Sequence, residues 1–270
     1  MPINNVDEIG PWSEIKLEII RKYAAAYSTI LSKQKYLHHV YIDAFAGLGY
    51  HKSKTTQLLV PGSPRLAVET EPPFEKYYFI DMNETKVAAL GELEAIRPGC
   101  VEVFEGDCNP ILVDKIFPAF QRDKSMRALC LLDPYGLDLN WETMALAGQL
   151  DTVEIFINFP VMHMNRNVLR HKPDTVDPNE AARMTAFWGD ESWRDITYTQ
   201  DLFGKDWKDG NNQKLVETFC KRLQDVAGFG YVAKPLPMKN STNATVYYLL
   251  FASPNREGGK IVNDIFDKYR

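Results

Sequence analysis

The sequence predicts an α/β fold in which a mostly parallel sheet is covered by helices on both faces. Three features predict it. Five apolar, β-rich runs alternate with helical stretches, each run ends in a turn carrying Asp or Asn, and the last two strands follow each other with no helix between. Strands that are apolar on both sides can be buried only if helices flank both faces of the sheet. Right-handed crossovers then bring the C-terminal ends of the parallel strands, with their polar turns, to one rim. Two strands joined without a helix pair as an antiparallel hairpin, which gives seven strands in all. A chain of 270 residues can bury the core of such a domain, and residues 1–270 are read as one domain.

The elements follow in order. Trp12–Ser32 places Ile15, Ile19, Ile20, Tyr23, Tyr27, Ile30 and Leu31 at helical spacings, with Ser13 as a candidate N-cap. Strand Val40–Phe45 runs into Gly47 and Gly49, which allow a sharp turn and a close backbone approach to a ligand; an ordinary tight turn is the plain alternative. A long connection, Tyr50–Pro61, precedes Gly62-Ser63-Pro64, where Ser63 can cap and Pro64 can open the short helix Arg65–Thr70. Strand Lys76–Ile80 ends in Asp81-Met82-Asn83, and Pro98-Gly99 stops helix Glu84–Ile96. Strand Cys100–Phe104 ends in Glu105-Gly106-Asp107 and leads to helix Pro110–Phe120. Strand Arg127–Leu132 ends in Asp133-Pro134-Tyr135-Gly136 before helix Trp141–Leu150, and strand Thr152–Ile157 ends in Asn158-Phe159-Pro160. Residues 161–210 read as an inserted helical cap holding Trp188, Trp193 and Trp207, which serve either as its core or as stacking platforms. Helix Gln213–Ala227 presents Leu215, Val216, Phe219, Leu223 and Val226 on one face. Strands Tyr231–Pro237 and Thr245–Ala252 and helix Gly259–Tyr269 close the chain.

The net charge of −5 argues against a protein that coats nucleic acid non-specifically. Two segments depart from that average. Ala44–Val68 and Ile155–Pro173 contain no acid but hold Lys52, Lys54 and Arg65, and Arg166, Arg170 and Lys172, respectively. Phosphates are the common target of such loops, and Arg166 and Arg170 share a face if their stretch is helical; a solvated surface is the alternative. The four cysteines show no metal-ligand spacing, so they read as free thiols and no metal site is expected. No apolar stretch is long enough to span a bilayer and Met1–Asp7 lacks the features of a secretory signal, a pattern that predicts a cytoplasmic protein with no membrane partner. Metalloprotease, serine-hydrolase and P-loop words are missing.

The strand ends resemble those of S-adenosylmethionine-dependent methyltransferases of the Rossmann-like class I fold. Asp43-Ala44-Phe45-Ala46-Gly47-Leu48-Gly49 is similar to that class's D-x-x-x-G-x-G loop, and Asp81 and Asp107 to its acids after the second and third strands. More narrowly, Trp12 with Lys16-Leu17, Ile42–Gly47, Gly62-Ser63-Pro64, Asp133-Pro134 and Asn158-Phe159-Pro160 resemble the three-Cys-motif partner family of bacteria. The resemblance spans most of the chain. It implies S-adenosylmethionine as cofactor and leaves open a protein partner carrying a cysteine motif.

On that resemblance, Asp81 suits the ribose diol, Asp107 the adenine amino group, and Asp43 the sulfonium or the ammonium of the cofactor. Phe45, Ala46, Gly47, Gly49, Ser63, Met82, Cys108 and Asp133 complete the expected cofactor site. The bland alternative is that each aspartate caps the helix after its strand. Asp133-Pro134-Tyr135 partly matches the D/N-P-P-Y/F word of enzymes that methylate exocyclic amines of bases. There the acid and a proline carbonyl accept from the amine and the aromatic ring stacks on the base; a plain proline-glycine turn is the alternative. Asn158 offers a second acceptor. The expected catalytic set is therefore Asp133, Pro134, Tyr135 and Asn158, with Lys52, Lys54, Arg166 and Arg170 on substrate phosphates. The expected activity is methylation of a nucleic-acid or nucleotide amine. The alternatives are an inactive binding partner and a methyltransferase for small molecules or proteins.

Overall fold

The computed structural model describes residues 6–200, 206–208 and 211–270. Strand β1 (Glu8–Ile9) precedes helix α1 (Pro11–Leu31), whose Leu17, Ile19, Ile20, Tyr23 and Tyr27 are buried on one face. Pro11 starts this helix after an extended Gly10, because its ring already holds the angle of a first turn. Ser13 therefore lies inside the helix and caps nothing, and Ile15 and Ile30 fall at the exposed margins of the stripe.

Strand β2 (His38–Asp43) is followed by β3 (Tyr50–Ser53) and β4 (Leu59–Pro61). The expected long connection is thus an antiparallel hairpin, and β1 adds to it in parallel with Glu8 opposite Lys52. Helix α2 (Ser63–Val68) has Gly62 at the N-cap position, which leaves Ser63 in its first turn and not at the cap. Strand β5 (Lys76–Asp81) leads to α3 (Glu84–Gly91), which tightens into a 3-10 turn over Glu92–Ala95. After β6 (Val101–Glu105), α4 (Cys108–Pro110) widens into a π-helical stretch, Ile111–Ile116, before α5 (Phe117–Arg122). Pro118 sits at the start of α5, where its missing N–H interrupts the α ladder within the single helix the sequence predicts.

Strand β7 (Met126–Leu132), α6 (Trp141–Gln149) and β8 (Val153–Phe159) complete the parallel strands. Helices α7 (Val161–Asn167), α8 (Pro178–Trp188) and α9 (Trp193–Thr197) and the antiparallel pair β9 (Tyr198–Gln200) and β10 (Asp206–Lys208) follow. Then come α10 (Asn212–Asp225), β11 (Tyr231–Val232), β12 (Leu236–Lys239), β13 (Thr245–Ser253) and α11 (Arg256–Phe266).

The main sheet runs β6-β5-β2-β7-β8-β13, with β11 and β12 sharing the outer edge of β13. The sixth predicted strand is split because Pro235 cannot donate to the ladder. Strands β6, β5, β2, β7 and β8 are parallel, and β13 is antiparallel to β8, β11 and β12. One apolar layer packs α1, α2 and α11 on the sheet. The other packs α5, α6 and α10 with the buried Phe187, Trp188 and Trp193 of residues 161–210, so these two tryptophans are core. The side chain of Trp207 lies outside the described residues, and Val226 is exposed just beyond α10. All four cysteines are free. Among the described residues no helix is long and apolar enough to cross a membrane.

Candidate functional site

Three adjacent strands reach the rim in polar side chains. Asp43 ends β2, Asp133 follows β7, and Asn158 lies near the end of β8. Register makes them neighbours: Asp43 pairs with Leu131, and Leu132 with Ile157, so Asp133 and Asn158 come one rung later. Asp133, Pro134, Tyr135 and Asn158 line a cavity of about 380 Å³, together with Ala46, Gly47 and Ser63.

Of the lining residues that were not expected at the site, Lys16, His51 and Tyr247 bear most directly on its charge. Lys16, buried on α1, forms an ion pair with Oδ2 of Asp133, and its ammonium stands 5.5 Å from the centre of the Tyr247 ring. Burial works against this charge, but Asp133, Tyr247 and Asp43 outweigh it and hold Lys16 above the ordinary lysine range. The signal for Lys16 is its position: it precedes Ile19, Ile20 and Tyr23 by three, four and seven residues, on the apolar face of the helix. His51, on β3, is driven toward the neutral imidazole by burial and by Lys16, and its Nδ1 has no partner. Burial raises the Tyr247 phenol to about 12.

Asp43 lines neither this cavity nor its neighbour. It is fully buried, its Oδ1 accepts the Phe45 N–H at 3.3 Å, and its Oδ2 meets no donor at hydrogen-bonding geometry. Burial raises its carboxyl to about 7, against the opposing pull of the Ser63 hydroxyl and the Phe45 amide. Ser63 thus faces the acid that opens the glycine loop.

Phe45, Asp81, Met82, Asp107 and Cys108 line a second cavity of about 280 Å³, and Phe45 and Tyr135 border both. Asp81 does not cap its helix; Asn83 does. Its two oxygens accept from Gly47 at 3.0 Å and Asn83 at 2.9 Å, which ties the glycine loop to the end of β5. Asp107 does cap α4, through the Asn109 N–H at 2.9 Å, so the capping reading applies to this one of the three acids. Gly47 and Gly49 have φ of +68° and +78°, and a Cβ at either would meet open space. Within the chain they are needed for the backbone angle, and no clash with the protein enforces them.

Residues 7–10 and, from the β3–β4 hairpin, His51 and Lys54 also line the first cavity. Asp7 accepts from the Tyr135 hydroxyl at 3.2 Å and from Lys86 at 3.3 Å, and Lys86 lies 5.4 Å from the Tyr135 ring centre. The basic residues divide. Lys54 lines the cavity, Lys52 is paired with Glu8 at 3.2 Å, and Arg166 and Arg170 are exposed outside both cavities. Helix α7 stops at Asn167, so these two arginines do not share a helical face. Gly136 packs under α7: an added Cβ would stand 3.1 Å from the His163 ring, which is held by Glu180 at 3.0 Å.

The order of the sheet and its closing antiparallel strand decide the architecture. The fold is that of the class I methyltransferases. Protein LPL1258 from Legionella pneumophila matches 91% of this chain and 88% of its own length at 12% identity, with a TM-score of 0.52. Trm1 from Pyrococcus horikoshii, solved with S-adenosyl-L-methionine, matches 92% of this chain and 58% of its own at 11% identity and a TM-score of 0.47. A putative S-adenosylmethionine-dependent methyltransferase from Listeria monocytogenes matches 86% and 99% at 12% identity, with a TM-score of 0.40. No family model and no curated protein matches the chain.

Proposed function

We propose that this protein transfers a methyl group from S-adenosylmethionine to an amine of a nucleic acid or nucleotide. The observation that carries the reading is the contact between two cavities at Phe45 and Tyr135, one lined by Asp81 and Asp107 and the other by Asp133, Tyr135 and Asn158. The residues suit the cofactor. Asp81 and the second cavity offer carboxylate acceptors for ribose hydroxyls, the free oxygen of Asp107 can take the adenine amine, and Asp43 supplies negative charge beneath the glycine loop. When bound, S-adenosylmethionine supplies an electrophilic methyl group. The protein's part is to orient an amine, exclude water through residues 7–10 and the β3–β4 hairpin, and present acceptors to its N–H groups. Tyr135, 70% exposed, offers a flat ring at the mouth for a base. Lys54 is placed for a phosphate at the same mouth.

A second reading, an inactive scaffold, draws on the same ion pair: the acid of the D-P-Y word is already engaged by Lys16. The resemblance to the three-Cys-motif partner family supports a protein with a cysteine motif as its partner. Calorimetry with S-adenosylhomocysteine, followed by transfer of labelled methyl groups to RNA and DNA oligonucleotides, tests the proposal. Binding with transfer supports it, binding without transfer to any acceptor supports the scaffold, and absence of binding overturns the methyl-transfer reading and leaves the scaffold.

A further inference from the structure

We infer that Asn158, not Asp133, is the group that accepts a hydrogen bond from the substrate amine, and that Lys16 imposes this division by holding Asp133. The inference rests on the methyl-transfer reading above. Both residues line the same cavity, on neighbouring strand ends. They differ in what the fold has done with their oxygens. Oδ2 of Asp133 is held by a buried ammonium, which leaves that residue only its Oδ1, whereas Oδ1 of Asn158 is buried with no hydrogen-bond partner. An acceptor buried without a partner costs stability, and it is kept where a ligand completes it.

Position separates Asn158 from the cofactor residues. The glycine loop and the acids at 81 and 107 belong to β2, β5 and β6, on one side of β7; Asn158 belongs to β8, on the other. A donor reaching Oδ1 therefore comes from the acceptor half of the rim. The charge next to it also selects. Asp133, Glu8 and Asp7 in the cavity wall are already paired with Lys16, Lys52 and Lys86, so no free carboxylate there holds a further cation, whereas a neutral N–H donor needs none. This favours the uncharged exocyclic amine of a base over a protonated alkylamine, and makes Asn158 a specificity-determining residue.

The test titrates AMP, CMP and GMP, with UMP as the control lacking an exocyclic amine, into protein saturated with S-adenosylhomocysteine. At least one amine-bearing nucleotide is expected to bind fivefold or more tightly than UMP. Asn158→Ala is expected to remove that preference while leaving S-adenosylhomocysteine affinity within twofold, which also shows that the variant is folded. Asn158→Ser, which keeps a shorter acceptor, is expected to retain part of it. The inference is overturned if no preference exists, if Asn158→Ala keeps it, or if Asn158→Ala weakens S-adenosylhomocysteine tenfold. Loss of the preference in Asp133→Asn with retention in Asn158→Ala would return the role to Asp133. If S-adenosylhomocysteine does not bind, the methyl-transfer reading fails, and the same nucleotide criteria are applied to the free protein.

Discussion

Lys16 and Asp133 are 117 residues apart in sequence and form one ion pair, with 9% and 24% of their side chains exposed. The pair fastens the first helix to the end of β7. Lys16→Met leaves a part-buried carboxylate without its counter-charge and is expected to cost about 2 kcal/mol, less than the loss of a partner in a fully buried pair. Urea denaturation measures it. Adding Asp133→Met to that variant is expected to recover most of the loss, because an apolar pair needs no desolvation.

Asp43 titrates near neutrality, at about 7. A cation bound close to it favours the carboxylate, lowers that value, and expels the partly held proton. Binding of S-adenosylmethionine at pH 7 is therefore expected to release a fraction of a proton, and affinity is expected to rise with pH through 7 and then level. Calorimetry in buffers of different ionisation enthalpy detects the proton. Asp43→Asn is expected to abolish both effects.

Glu154 is a buried acid far from the rim, at the start of β8. Burial raises it to about 7, opposed by hydrogen bonds from Tyr23 at 2.6 Å and Ser253 at 2.9 Å. Its folded pKa exceeds the unfolded one, so the stability it contributes is full below about pH 4 and is lost as pH rises toward 7. Glu154→Gln removes this dependence. Relative to wild type, the variant is expected to gain about 2 kcal/mol between pH 5 and pH 8, read from urea midpoints at the two values.

Asp7 pins the N-terminal strand through two exposed contacts, to Lys86 and Tyr135. Exposed pairs of this kind contribute about 0.5 kcal/mol each. Asp7→Ala is accordingly expected to speed release of S-adenosylhomocysteine by a few-fold while changing the melting temperature little. Stopped-flow displacement measures the rate, and an unchanged rate would show that residues 7–10 do not limit exit.

What the sequence made legible is what local patterns encode. Runs apolar on both faces gave the parallel strands, and the acids at 43, 81, 107 and 133 stood out because each follows such a run. Contacts between distant segments have no local signature. Nothing near Glu8 announces that it will lie opposite Lys52, so a hairpin with a third strand read as a long loop. Lys16 stood out only as part of a family resemblance, with Trp12 and Leu17, and its ion pair was hidden because its partner lies across the sheet. Ser13 and Ser63 fit the preference for N-caps, yet Gly10 and Gly62 hold those positions, each just ahead of a proline-containing first turn. Asn158 was legible as an acceptor at a strand end, but its lack of a partner is a property of the packed cavity.

The ring of His163 fills the space where residue 136 would carry a side chain. The segment after β8 and the turn after β7 are therefore not free to drift independently over evolution. A chain of this fold that gains a methyl group at position 136 must let the ring at 163 give by a few tenths of an ångström, and relatives should show the two positions changing as a pair.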